Sequence, residues 1–263
     1  MPPTREITSW VFCSNSHWIL ESNGTPHSCG NSDTTQGMER RLGTASRPSV
    51  ALQFAHVHTN QTKRTQRMSQ MLPHTTAWFQ LALAQFAELL AWLAWLRASE
   101  LFELRWKDIE CVQPSRRPRY GLPPGSGALL LQLLEATKGS QTSTADMVVA
   151  YQTSSGFQPG KIFEELLQAR SPCTSDSELL FKDEHGEQWT SSYFRNTHIY
   201  PWLEEQWKAG DPLLKTHCPK GPEERKEKFY SMSMFRRGGQ THIAQKQMWC
   251  VRKATGVEIN EHG

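Results

Sequence analysis

Three short segments of the chain carry residue types that can bind and protonate an anion. The first begins at Arg97, the second holds Lys138 beside a glycine, and the third, Ser233–Gly239, contains Arg236 and Arg237. A guanidinium group binds anionic oxygens through paired hydrogen bonds and stays charged, and a lysine can donate a proton. Taken singly, each segment has an ordinary explanation: an ion pair on a helix, a solvated turn, or surface charge. A chemical role depends on whether the three belong together.

In chain order, the three segments resemble the catalytic domain of tyrosine recombinases, the phage-integrase family. RASELFELRWKDI, at 97–109, is similar to the family's Arg-x-x-Glu-Leu-x-x-Leu-x-Trp-x-Asp-Ile. Lys138 resembles the family's lysine between two strands, and SMFRRGG, at 233–239, is similar to the His-Ser-Phe-Arg-Arg-Gly-Gly of recombinases from eukaryotic mobile elements. The order and separations agree over residues 75–250.

This resemblance implies a site that holds one DNA phosphate while a phosphodiester is exchanged for a phosphotyrosine. Arg97 and Arg236 would clamp the non-bridging oxygens of the five-coordinate phosphorus. Lys138 would protonate the leaving 5′ oxygen as a general acid. Glu100 would orient Arg97, and Arg237 would support the clamp. No cofactor or metal is implied, because the arginines supply the positive charge.

Two residues depart from the family pattern inside the site. Ser233 stands where the family usually has a histidine, and a serine cannot carry a proton at neutral pH as imidazole can. Trp95 stands two residues before the first arginine, where the family often has a small residue. We expect the serine to reduce the acid–base capacity of the site and the tryptophan to crowd it.

The nucleophile is missing from its expected place beyond Arg236. All five tyrosines, at 120, 151, 193, 200 and 230, precede that arginine, and Trp249 and His262 are wrongly spaced substitutes for other family residues. The sequence therefore predicts a chain that is incomplete before its tyrosine and inactive as written. Truncation, a faulty gene model or a decayed mobile element would each explain this pattern.

An apolar segment just before Arg97 is expected to deliver that residue to the site. Residues 77–96 are apolar around most of a helical circumference, with Thr75 or Thr76 as the N-cap. The segment is also long enough to span a bilayer. However, Gln80, Gln85 and Glu88 interrupt it, and an acid at the centre of a span costs about 2.5–3.5 kcal/mol. A buried helix is therefore favoured over a membrane anchor.

The remaining patterns predict a mainly α fold with a small antiparallel β-sheet. Residues 97–110 are expected to continue as a second helical stretch. Apolar runs at 128–136 and 146–151 indicate a hairpin around Lys138, although the leucine-rich residues 128–134 are also compatible with a helix. Further helices are predicted at 161–170, at 191–208 and from Ser233 to residue 250, with connections at 114–127 and 219–229.

The predicted division is an irregular or partial N-terminal DNA-binding region at 1–74 and a recombinase-like catalytic domain at 75–263. Residues 1–50 are rich in Ser, Thr, Asn and Gly and lack sustained periodicity. Residues 51–72 contain a small basic cluster of Lys63, Arg64 and Arg67, for which a solvated linker is favoured over a DNA contact.

Composition bounds the class of protein without naming a partner. Hydrophobic residues make up 37% of the 263, which is enough for a sizeable core, and the net charge of +3 is too small to indicate nucleic acid by itself. Six cysteines without a Cys-x-x-Cys pair, and no signal pattern, favour an intracellular protein, nuclear if the source is eukaryotic. Cys13, His17, His27 and Cys29 have zinc-ligand types, but their spacing matches no common module.

The expected function is that of a DNA-binding site-specific recombinase or integrase. Its partners would be duplex DNA and other copies of the chain on that DNA, with no membrane and no small-molecule substrate. Binding should be weak and salt-sensitive. The alternatives are a DNA-binding remnant of a mobile element without chemistry and, less favoured, a membrane-anchored protein using residues 77–96.

Overall fold

A computed structural model describes residues 10–13, 17–20, 51–113, 126–133, 145–218, 220–221 and 232–255. Within these ranges the elements, in chain order, are β1 (Trp10–Cys13), β2 (His17–Leu20), α1 (Phe54–Ser69), α2 (Thr76–Leu93), α3 (Ala98–Phe102), β3 (Ile109–Val112), β4 (Ala128–Leu133), β5 (Ala145–Ala150), α4 (Pro159–Ala169), α5 (Ser191–Phe194), α6 (Tyr200–Lys208), α7 (Pro212–His217) and α8 (Ser233–Thr255). The fold is mainly α with a small antiparallel sheet, which confirms the predicted class.

Helix α2 is the buried centre of the domain. Thr75 caps it by accepting a hydrogen bond from the Trp78 backbone N–H at 3.3 Å. Every residue from Ala82 to Trp92 is buried, and the helix packs against α1, α4 and α8. The prediction of a buried helix is therefore confirmed. Among the described residues, no helix combines the length and hydropathy needed to cross a membrane.

The small sheet has the strand order β3–β4–β5, with both pairs antiparallel. β4 pairs with β5 as predicted, with Leu131 opposite Met147, and β3 pairs on the other side of β4, with Ile109 opposite Leu131. The turn that carries Lys138 lies outside the described residues, as do residues 114–125 of the first expected connection and residues 219 and 222–229 of the second.

The prediction of one helical stretch over 97–110 is wrong in its second half. α3 ends at Phe102, and Leu104 then hydrogen-bonds to Leu180 across a neighbouring segment. One tight turn at Trp106–Asp108 leads into β3. The Asp108 carboxylate stabilises that turn by accepting from the Arg105 backbone N–H at 2.8 Å. Ile109 and the residues after it form a strand because β4 offers them a partner edge.

Residues 51–72 are not a solvated linker, contrary to the interpretation favoured from sequence. Most of this range forms α1, whose Val57 and Met68 join Leu52 in the same buried core as α2. Arg64 is only 6% exposed. The basic cluster is thereby split between the core and the surface, and the described residues just before 75 pack with the domain predicted to begin there.

The helices predicted at 161–170, at 191–208 and after Ser233 are present as α4, as the run from α5 to α6, and as α8. Between α5 and α6 lies one wide turn, Arg195–Ile199, in which the Tyr200 N–H donates to the carbonyl of Arg195. Pro201 follows at once and has no N–H to donate. The proline thus stands in the first turn of α6, where a missing N–H is tolerated.

The N-terminal region contains one short hairpin that the composition did not predict. β1 pairs with β2 in antiparallel register, with Cys13 opposite His17. The other residues of the range 1–50, including His27 and Cys29, lie outside the described ranges.

Candidate phosphate-binding site

Arg97 stands directly after the end of α2. The backbone hydrogen bonds of α2 end where the Ala94 N–H donates to the Leu90 carbonyl, and Trp95 then takes a left-handed conformation with φ 55°. That conformation costs a residue with a Cβ about 1–2 kcal/mol, a cost that only glycine avoids. The turn buries Leu96 and leaves the Arg97 side chain 41% exposed at the start of α3.

Glu100 contacts Arg97 in two ways. One carboxylate oxygen accepts a hydrogen bond from the Arg97 backbone N–H at 2.7 Å, and the other lies 3.6 Å from the guanidinium Nη1 atom. Glu100 is thus placed to orient both the backbone and the side chain of Arg97. An exposed pair of this kind stabilises the fold only slightly, so its main effect is on side-chain direction.

The other residues of the 97–109 segment are structural. Leu101, Leu104, Trp106 and Ile109 are all buried in the core. The Arg105 side chain is engaged in a different contact, because its Nη1 atom donates to the carbonyl of Ser177 at 2.7 Å. Arg97, by contrast, is partly exposed at the start of α3, a few residues after the end of α2.

Ser233, Arg236 and Arg237 occupy the first turns of α8. Met234 and Phe235 between them are buried and anchor the helix in the core. Ser233 and Arg236 are half-buried, and Arg237 is exposed. The apolar anchor thus leaves the arginines at the surface of the domain.

The start of α8, which carries Arg236, meets the end of α2 and the turn that leads to Arg97. An ideal Cβ built on Gly239 would lie 2.2 Å from the Trp92 carbonyl oxygen and 3.0 Å from the Trp95 Nε1 atom. The start of α8 therefore lies directly against the end of α2 and against Trp95, which precedes Arg97 by two residues. Lys138, the third residue assigned to the site, lies outside the described residues.

A buried ionic cluster that the sequence analysis did not assign joins α1 to α2. The Glu88 carboxylate, which is fully buried, lies 3.3 Å from the Arg64 Nε atom and accepts from the Asn60 side chain at 2.7 Å. Arg64 also donates to the backbone carbonyl of His198 at 2.8 Å. Burial raises the pKa of Glu88 above its ordinary value. The sequence signal was an acid within an apolar helix, which requires a buried partner.

Each described tyrosine has either a raised pKa or a buried side chain. The Tyr151 hydroxyl donates to the Glu164 carboxylate at 2.6 Å, and this hydrogen bond raises the pKa of Tyr151 to about 12. Burial raises the pKa of Tyr193, and Tyr200 is 4% exposed. Tyr120 and Tyr230 lie outside the described ranges.

The described residues contain no group of three or more side chains that could hold a metal ion. They do form an open cleft of about 930 Å³ between α1, α2 and α4. Its walls are mostly neutral and include His58, Gln85 and Lys161, but none of the arginines at 97, 236 and 237. The cleft is therefore distinct from the junction of α2 and α8.

No family model matches the chain, and no curated protein matches it. Among solved structures it is similar to the XerH site-specific recombinase bound to difH substrate in a pre-cleavage complex, at 18% identity and a TM-score of 0.43, over 81% of this chain and 48% of the recombinase chain. It is also similar to XerH bound to palindromic difH substrate in a post-cleavage complex, at 17% identity and a TM-score of 0.45, over 83% of this chain and 49% of that one. The chain thus spans about half the length of these recombinase chains.

Proposed function

We propose that this protein binds duplex DNA through a phosphate clamp formed by Arg97 and Arg236, as a site-specific recombinase or integrase does. The observation that carries the proposal is the junction at which Gly239 meets Trp92, because it brings the start of α8, which bears Arg236, against the end of α2, which leads to Arg97. The segments of both arginines also resemble recombinase motifs. Such a protein would act inside the cell, in the nucleus if eukaryotic, as several copies on DNA.

The chemistry of the clamp follows from the residue types. Two guanidinium groups neutralise the charge that develops on the non-bridging oxygens of an attacked phosphate. Glu100, in contact with Arg97, keeps one guanidinium in place. Lys138 would supply the proton for the leaving oxygen, and Ser233 would offer a hydrogen bond where a histidine would also offer a proton.

A DNA-binding protein without strand cleavage is the second candidate. It is favoured by the hydrogen bond that holds Tyr151 to Glu164 and by the burial of Tyr200. Electrostatic stabilisation without an attacking group forms no phosphotyrosyl bond. Arg97 and Arg236 would then bind a DNA phosphate without cleaving the strand. The recombinase and the non-cleaving DNA-binding protein would therefore make the same DNA contacts.

Binding to a fluorescent duplex, followed by anisotropy at several salt concentrations, tests the clamp. Replacing Arg97 or Arg236 by Ala should each weaken binding by about 10- to 100-fold, the value of a hydrogen bond to a charged group. Each should also lower the slope of log affinity against log salt by about 0.9, as expected for one lost phosphate contact.

Arg105→Ala is the matched control, because it removes an equal charge whose side chain is bonded to Ser177 instead. We expect its affinity and salt slope to stay near those of the unchanged protein. Salt-independent binding, or an equal loss with all three variants, would refute a clamp at these two positions.

A further inference from the structure

Two adjacent glycines, Gly238 and Gly239, lie in the second turn of α8. Glycine is a poor helix former, since it loses more backbone freedom on folding than alanine does. Both glycines are nevertheless buried, although the arginine just before them is exposed. A pair of glycines at this point in a 23-residue helix calls for a packing reason.

At Gly238 the reason is contact with the segment that enters α1. An ideal Cβ there would lie 2.3 Å from the Leu52 carbonyl oxygen and 2.4 Å from the Trp92 ring atom Cζ3. The Leu52 N–H donates to the Met234 carbonyl at 3.3 Å, so the same segment is also hydrogen-bonded to the first turn of α8. The backbones approach so closely that no side chain fits between them.

At Gly239 the contact is with the end of α2. The Cβ position lies 2.2 Å from the Trp92 carbonyl oxygen, which belongs to the backbone and cannot turn away. Ordinary contacts between non-bonded heavy atoms lie near 3.5–4.0 Å. An added methyl group would therefore push α8 away from α2 by about 1 Å or more.

We infer that Gly238 and Gly239 are positioning residues, which set the register of α8 against α2 and thereby place Arg236 opposite Arg97. We call the contact of these two glycines with Leu52 and Trp92 the glycine clasp. The inference rests on the proposed function, because it assigns the clasp to the phosphate clamp. Arg236 lies about 4.5 Å along the helix axis from Gly239, at 1.5 Å per residue, so a displacement at the clasp moves the arginine with it. Clamps lose their geometry with errors of about 1 Å.

The test compares Gly239→Ala and Gly238→Ala with Gln240→Ala, an exposed neighbour on the same helix. Affinity for a fluorescent duplex is measured at several salt concentrations, alone and in an Arg236→Ala background. Each glycine variant should reproduce the loss of affinity and the lowered salt slope of Arg236→Ala. Neither should add a further loss once Arg236 is replaced. A fall in the folded fraction alone would not change the salt slope, so this readout separates positioning from stability.

Amide hydrogen exchange over residues 234–240, measured without DNA, reports on the clasp independently of the clamp. Exchange should be faster in both glycine variants than in Gln240→Ala, although alanine is the better helix former. Unchanged exchange, an additive loss with Arg236→Ala, or failure of both variants to fold would each overturn the inference. If Arg97→Ala and Arg236→Ala bind DNA normally, the proposed phosphate clamp is refuted instead. Faster exchange in the glycine variants would then show only that the two glycines hold α8 in place.

Discussion

Arg97 and Arg64 carry the same guanidinium group in opposite surroundings. Arg97 is 41% exposed beside Glu100, whereas the Arg64 side chain is 7% exposed and is enclosed by Glu88 and the His198 carbonyl. An exposed guanidinium can meet an incoming phosphate, whereas a buried one is already neutralised by its partners. The surroundings of each residue therefore separate a binding role from a structural one.

His198 is a residue-scale source of acid sensitivity. Its Nε2 atom is buried without a hydrogen-bond partner among the described residues, and burial, followed by the charge of Arg64, lowers its pKa to about 3. Because the folded protein resists protonation, the stability that neutral His198 contributes is complete above about pH 6.5, the ordinary pKa of histidine. That stability is lost as the pH falls from there towards 3.

Replacing His198 by Phe should flatten this part of the stability profile, because phenylalanine keeps the ring contacts with Trp189 and Phe194 and cannot take up a proton. Urea unfolding at several pH values between 7 and 4 measures the effect. His185→Gln is the control, since that histidine is 77% exposed. A profile as steep in His198→Phe as in the control would show that His198 is not the source.

At the scale of elements, the ion pair between Arg64 and Glu88 fixes α1 against α2. Asn60 adds a third contact from α1, and Gln85 on α2 donates to Thr65 on α1 at 2.8 Å. Both charges are removed from water, and the cost of this desolvation offsets much of their attraction. The pair therefore contributes more to the relative position of α1 and α2 than to stability. α1 thereby supports the helix that leads to Arg97.

Replacing only one residue of the Arg64–Glu88 pair should lower the free energy of unfolding. Arg64→Met leaves the Glu88 carboxylate buried without a counter-charge and should destabilise the protein by about 3–5 kcal/mol. The double variant Arg64→Met with Glu88→Leu should recover most of that loss, because neither charge remains. Urea unfolding checks both, with Arg67→Met on the exposed face of α1 as the control. A double variant less stable than Arg64→Met alone would contradict this account.

The whole molecule brings the start of α8 against the end of α2, and two of its described tyrosines are held by other elements. Tyr151 is bonded to α4, and Tyr200 lies in the core at the start of α6. The net charge of +3 supplies little long-range attraction for DNA. Binding should therefore depend on the local clamp and should weaken steeply as salt rises.

No covalent protein–DNA adduct should form from residues 1–263 on nicked suicide substrates, because no tyrosine lies beyond Arg236. Denaturing gels with a labelled strand make the measurement. Extending the chain by a family-like segment that contains a tyrosine should restore adducts, at a rate lowered by about 10²–10⁴-fold if Ser233 cannot transfer a proton. An adduct from the unextended chain, mapped to any of its five tyrosines, would show that the nucleophile has been misassigned.

The sequence alone determined the elements whose patterns are local. The apolar run before Arg97 and the paired runs around Lys138 predict α2 and the β4–β5 hairpin, because side-chain periodicity reflects one buried face. The motif at 97–109 likewise singled out Arg97 and Glu100, which are in contact in the structure. It did not show that the motif ends in strand β3, since a strand needs a partner edge that the motif does not contain.

Only the tertiary structure decided which charges are buried and where backbones touch. Arg64 and Arg67 lie on one short basic stretch, yet only Arg64 meets Glu88. Gly239 meets Trp92 across more than half of the chain. Such contacts depend on how remote helices pack, and packing is set by the combined shape of the core. Local propensity extends over only a few residues, so it cannot carry that information.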